Sequence, residues 1–174
     1  MNGTPETLSD LVDIPQLKKL LDTQTGISGM PVGVIGNDGE MIVASGWQAI
    51  CTKFHRMHPE ASIACRESDA ALSKGLKGPN PEERRCKNGL WDIGVPVMIE
   101  GKHYATLFIG QFLFEEEPTD REFFIRKADQ FGFDRAAYLA ALDQVPRFSR
   151  EKVRKILDYY LELIQDFPDL FPRK

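Results

Sequence analysis

A chain of 174 residues is enough for one ordinary domain with a real core and an appended helix, and hardly for two domains. Its net charge of -4 and pI near 5.4, with Lys and Arg scattered rather than striped, argue against nucleic acid as a partner. The N-terminus "MNGTPETLSD" has no cationic stretch leading into an apolar run, and nowhere do about 18 consecutive apolar residues occur, so neither export nor membrane spanning is encoded and a cytoplasmic location is expected.

The first helix is predicted to begin near Pro15, whose fixed φ suits the first helical turn, with Leu17, Leu20 and Leu21 on one face and Gly26 as its stop. "MPVGVIGNDGEMIVAS" is two β-rich runs joined through Asn37, Asp38 and Gly39, residues that tolerate the positive φ of a tight hairpin. About forty residues with helical spacing follow, interrupted by the loop "KGPNPEE". A second hairpin, "LWDIGVPVMIEGKHYATLFIGQFLF", turns around Gly101, and Pro96 marks an edge position or an irregularity in its first strand. Thr119 and Glu122 form a capping-box pattern opening a helix with Phe123, Phe124 and Phe131, stopped by Gly132, and a short helix starts near Asp134. Ser149 caps a last helix in which Val153, Ile156, Tyr160, Leu163 and Phe167 follow alternating three- and four-residue steps. That spacing fits a coiled-coil seam pairing with a twin chain, and equally an amphipathic helix packed on its own domain. The order helix, hairpin, helical insertion, hairpin, helices predicts a mixed α/β fold of the α+β kind, an antiparallel sheet with helices over one face.

Chemistry concentrates in "WQAICTKFHRMHPEASIACRES", which holds two of the three cysteines and two of the three histidines. If Trp47 to His58 is one helix ended by Pro59, then at about 100° per residue Trp47, Ile50, Cys51, Phe54 and His58 share an inward stripe with His55 at its border. Cys51 and His55 are four apart and therefore neighbours on that face. With Cys65 on the next helix and Cys86 before the second hairpin, Cys51, His55, Cys65 and Cys86 could assemble a Cys3His metal site, although the spacing C-x3-H-x9-C-x20-C contains no close cysteine pair of the usual structural-zinc kind. Three other readings stand beside it. The thiols are unconnected core residues, they line a ligand site, or they sense redox state with a pKa lowered by Arg66, Arg84, Arg85 or Lys87. An odd cysteine count in a cytoplasmic chain excludes a disulfide framework, and His103, in the second hairpin's turn, reads as solvated.

The ordered set "LSDLVDIPQLKKLLD", "ICTKFHR", "ACRESD" and "RCKNGLWDIGVPVMIEGKHYATLFIGQF", with the trailing helices, resembles the PocR sensory domain family over nearly the whole chain. The resemblance implies a PAS-like fold that senses a small hydrocarbon derivative such as a diol and precedes an output module, here a kinase, a cyclase or a DNA-binding domain. It matches Cys51, His55, Cys65 and Cys86 to the family's Cys, His, Cys and Cys, and Asn88, Gly89 and Pro96 to its "C-x-N-G" and following proline. It further implies a sensory domain over 1–148, with 149–174 a helix leading toward an output module outside this chain.

No G-x-S-x-G elbow, HExxH, P-loop or calcium loop occurs, and Cys51 with His55 on one helix face lacks oxyanion donors, so no enzyme is expected. The expected site is a ligand pocket between the sheet and the insertion. Trp47, Cys51, Phe54, His55, Cys65, Cys86 and Trp91 line it, Asp92 and Gln111 are its polar anchors, and a metal ion at the Cys/His cluster is the alternative occupant.

Overall fold

The computed structural model describes residues 7–76 and 78–172. The first six residues, Lys77 of the expected loop and the last two residues lie outside them. A 3-10 turn at Leu8–Asp10 leads into α1 (Ile14–Ser28), whose N-terminus is closed by Asp13 Oδ1 accepting from the Gln16 N–H at 3.0 Å. The helix runs through Gly26, where the sequence predicted a stop, and ends at Gly29 with φ 75°. Its N–H closes the last turn on Thr25 O, so the left-handed cap falls at the second glycine. β1 (Val32–Gly36) and β2 (Met41–Ser45) form the expected hairpin.

The insertion departs from the single helix expected over Trp47–His58. Ile50–His55 is a π-helical turn, with the Arg56 N–H donating to Cys51 O at 2.9 Å. That wider turn breaks the predicted stripe, and Trp47 lies ahead of it, outside any helix. Pro59, expected to end a helix, opens one: α2 (Pro59–Gly75) has Pro59 in its first turn, where a missing N–H does no harm, and His58 Nδ1 caps it by accepting from Glu60 and Ala61. β3 (Glu82–Arg85), which begins inside the expected loop at Glu82 and Glu83, is an edge strand whose charged side chains discourage further pairing.

β4 (Trp91–Ile99) and β5 (Lys102–Phe114) make the second hairpin. The sheet order is β2-β1-β5-β4-β3, all antiparallel, with the two-residue β6 (Arg147–Phe148) added in parallel to the end of β5. Pro96 lies beyond Gly94, the last β4 residue paired with β3, so its missing donor falls where β4 is an edge. α3 (Arg121–Phe131) is capped by Asp120 rather than Thr119: Asp120 Oδ1 accepts from the Phe123 N–H, while the Thr119 hydroxyl meets Arg147. α4 (Arg135–Asp143), α5 (Arg150–Gln165, capped by Ser149) and α6 (Phe167–Leu170) complete the chain. No helix among the described residues is long and apolar enough to cross a membrane.

Strand register sorts the side chains into two faces. Val43, Val34, Leu107 and Val95 stand in one row across four strands and join Leu17 and Leu21 of α1 and Val153, Ile156, Tyr160 and Ile164 of α5 in the main core. The seam expected to meet a twin chain is therefore spent on this domain's own sheet, with Phe167 also buried and Leu163 partly so. Three- and four-residue steps describe any helix with one apolar stripe, and here a sheet covers the stripe. Tyr160 carries an imperfection in this core: its hydroxyl is buried with no hydrogen-bond partner among the described residues. Tyr160→Phe removes an unpaired polar atom at constant shape and is expected to raise stability by about 1 kcal/mol in urea unfolding. A loss of stability would mean that the hydroxyl has a partner in solution.

Candidate functional site

The opposite face of the sheet is nearly bare. Gly33, Phe108 and Gly94 lie in one row, and the insertion presses onto the glycines. A Cβ on Gly33 would stand 3.1 Å from the Trp47 ring, and one on Gly94 would stand 2.8 Å from Leu72. The Trp47 indole donates to Val32 O at 3.1 Å, and the Arg56 guanidinium sits 4.6 Å above its ring. Arg56 reaches on to Asp69 of α2 at 3.1 Å, while its Nε is buried without a partner.

Between α2 and strands β3 and β4 this arrangement leaves a cavity of about 180 Å³, lined chiefly by Asp69, Leu72, Arg84, Cys86, Asp92 and Phe108. Asp92 stands at its floor, where a bulge in the β4–β5 ladder leaves Gln111 as the extra residue and sets Asp92 opposite Gly110. Gly110 has φ 141°, and a Cβ there would meet Asp92 Oδ1 at 2.6 Å, so only glycine leaves room for this carboxyl. The carboxyl has no hydrogen-bond or ion-pair partner among the described residues. Burial, with the Asp69 charge in support and Arg56 opposing, pushes its pKa up to about 7. Burial also raises Asp69, against the pull of Arg56.

The residues singled out in the sequence are only partly brought together by the fold. Cys86 and Asp92 line this cavity, and Cys86 also packs against the core that holds Cys51. Cys51, Phe54 and His55 belong with Tyr138: Cys51 lies in a second core with Ile50, Leu90 and Leu113, Phe54 packs on Tyr138 and Phe133 with ring centroids 5.3 and 5.4 Å away, and His55 Nε2 shares a hydrogen bond of 2.6 Å with Tyr138 Oη. Burial, with the charges of Lys127 and Arg56, holds the His55 imidazole down to about 4. Gln111 Oε1 accepts from the Gln48 N–H at 3.0 Å and so anchors the insertion's start, and Trp91 is tied to Glu117 and Phe114.

Cys65 Sγ takes a hydrogen bond from Asn88 Nδ2 at 3.2 Å, and Cys86 Sγ one from the Leu90 N–H at 3.3 Å. All three cysteines are free. Burial raises each thiol, Cys51 well above its ordinary value with Cys86, Asp92 and Cys65 adding to the effect, and Cys86 to about 12. A neutral thiol is neither the nucleophile nor the ligand form of cysteine. Among the described residues no group of three or more His, Cys, Asp and Glu is arranged to hold a metal ion.

Arg56, Asp69, Leu72 and Phe108 escaped the sequence reading. The α2 spacing could have found two of them, because Cys65, Asp69 and Leu72 are four and three apart and share the face that meets the sheet. Phe108 alternates with buried neighbours inside a β5 that is apolar on both faces, which conceals its direction. A family model described as a sensory domain found in PocR matches residues 10–168. No curated protein and no solved structure matches the chain.

Proposed function

The chain belongs to the family of sensory domains found in PocR, and on that premise we propose that it binds a small hydrocarbon derivative, a diol or a molecule like it, in the cavity between α2 and β4. The observation that carries this reading is the Asp92 carboxyl, part-buried at the cavity floor with no protein partner among the described residues. Two adjacent hydroxyls donating to one carboxylate would supply the hydrogen bonds it lacks. A volume of about 180 Å³ lies below the roughly 300–1,000 Å³ typical of drug-sized ligands and suits about five heavy atoms. At a ceiling of about 1.5 kcal/mol per atom, such a ligand binds no tighter than micromolar. The ligand is bound and released unchanged.

Transmission follows from the alternation of β4. Asp92 and Gly94 face the cavity side, while Ile93, Val95 and Val97 join the core that contains α5. A shift of β4 under the ligand is therefore felt by the helix that leads toward the output module, and it can favour one packing of α5 over another by no more than the ligand's differential affinity. Pairing with a twin chain would use the part-buried flank of α5 at Leu157 and Leu161, since Val153, Ile156 and Tyr160 are already covered.

Titration of the 174-residue chain with 1,2-propanediol, followed by amide NMR, is expected to give saturable shifts around Leu72, Asp92 and Phe108. Because hydroxyls hydrogen-bond the ionised carboxylate, affinity should rise as the pH climbs from 6 to 8, by up to about tenfold. In Asp92→Asn, binding should weaken and lose that pH dependence. Stoichiometric metal in the purified protein would instead favour a Cys3His centre built from Cys51, His55, Cys65 and Cys86, and reversible thiol oxidation that displaces α2 would favour a redox sensor.

A further inference from the structure

We propose that the groove on the other flank of α2 is a binding site for a small organic carboxylate, its charge met by Arg66 and Lys74. The site deepens the ligand-sensing reading and rests on it for its role in signalling. Arg66, Ala70 and Ser73 are four and three apart, with Asp69 and Lys74 four from Ser73 and Ala70 respectively, so one stripe of α2 faces this space. A helix laid on a sheet ordinarily offers an apolar stripe that fills the gap. Here the stripe is polar and the gap is open, about 480 Å³ over a floor of Ile35, Gly36 and Thr106, with Asn37, Asp38 and His103 at its rim. That volume falls within the range of about 300–1,000 Å³ usual for ligand pockets.

The charges around it do not cancel. Asp69 is held by Arg56, and Asp38 Oδ1 accepts from the Glu40 N–H in its own turn. Arg66 touches only the Ser62 hydroxyl, at 3.1 Å, and Lys74 has no ion pair or hydrogen bond among the described residues. With Asp69 paired to Arg56, two exposed cations face a space whose remaining carboxylate, Asp38, keeps its charge while accepting from its own turn, which leaves the groove with a positive excess. The planar guanidinium matches a carboxylate with two parallel hydrogen bonds. The Ile35 and Ala70 side chains beside it offer apolar contact that an inorganic anion cannot use, which makes the favoured occupant an organic acid.

The test is a titration of the complete chain, labelled for amide NMR, with sodium propionate at constant ionic strength, beside parallel titrations with 1,2-propanediol and inorganic phosphate. Propionate is expected to give saturable shifts at 35–39, 66–74 and 103–106. Arg66→Gln combined with Lys74→Gln, both exposed positions, should weaken it by about tenfold or more and leave the diol titration unchanged. Shifts that never saturate, shifts that persist in the double variant, or phosphate binding as well as propionate would each overturn the proposal. Saturation by the diol alone would sink this site and leave the diol reading standing, whereas saturation by neither would sink both.

Discussion

Asp92→Asn should gain stability over the native chain by about 2–3 kcal/mol between pH 5 and pH 8, with the gain appearing as the pH rises. The folded carboxyl holds its proton to about 7, against an ordinary value of 3.8. Below 3.8 both folded and unfolded chains are protonated and the group costs nothing. From there to about 7 only the folded chain carries the proton, so stability falls by about 1.4 kcal/mol per pH unit, and above 7 the full loss stands. His55 acts with the opposite sign. Its folded pKa of about 4 lies below the ordinary 6.5, so its contribution is present above 6.5 and is lost as the pH falls toward 4. Over the window between about 4 and 6.5 the two slopes cancel, and the native chain should be nearly flat in these two terms. Each variant unmasks the other: Asp92→Asn should destabilise with acid, and His55→Asn should destabilise with base. Urea unfolding of the three proteins from pH 4.5 to 8 reads this directly, and an Asp92→Asn curve parallel to the native one would show that the carboxyl is not enclosed in solution.

Ile156→Glu is expected to cost about 3–5 kcal/mol, a large share of the roughly 5–15 kcal/mol that holds a domain of this kind together. Ile156 is 6% exposed and sits among sheet residues, so a carboxylate there enters the core without a partner. Leu163→Glu, at a part-buried position on the same helix, should cost about 1 kcal/mol. If the stripe were instead a free coiled-coil seam, Ile156→Glu would dissociate a dimer and leave the monomer's unfolding temperature where it was. Thermal unfolding combined with sedimentation separates the two results.

The ends of the later helices were the legible ones, because their signals are local. Ser149 caps α5 through its own side chain, and Gly132 ends α3 by taking φ 67°. Both hairpins were legible for the same reason, since Gly39 and Gly101 supply the positive φ their turns need. Where the reading went astray, a neighbour decided the matter. β3 has no apolar alternation of its own and is a strand because β4 offers it a ladder. Asp120 caps α3 in place of Thr119, whose hydroxyl is taken by Arg147 from β6.

The candidate site divides in the same way. Cys86 and Asp92 were placed at the pocket from the sequence, and the structure puts both on the 180 Å³ cavity. A regular helix aligns Cys51 with His55, and only a fold that joined the segments would add Cys65 and Cys86 to them. The π-helical turn at Ile50–His55, which no local signal announces, carries Cys51 and His55 into the core around Tyr138.

By itself the sequence determined the two hairpins and the order of the main helices, the caps at Gly132 and Ser149, the α+β class and membership of a sensory family, because each of these is written in residue types a few positions apart. Only the tertiary structure decided which face of the sheet the insertion would cover, that the α5 stripe would be met by the chain's own strands, and that Asp92 would be left unpartnered beneath α2. Those outcomes depend on pairings between residues far apart in the chain, such as Gly94 with Leu72 and Asp92 with Gly110, and strand register and close packing select them only when the whole sheet is assembled.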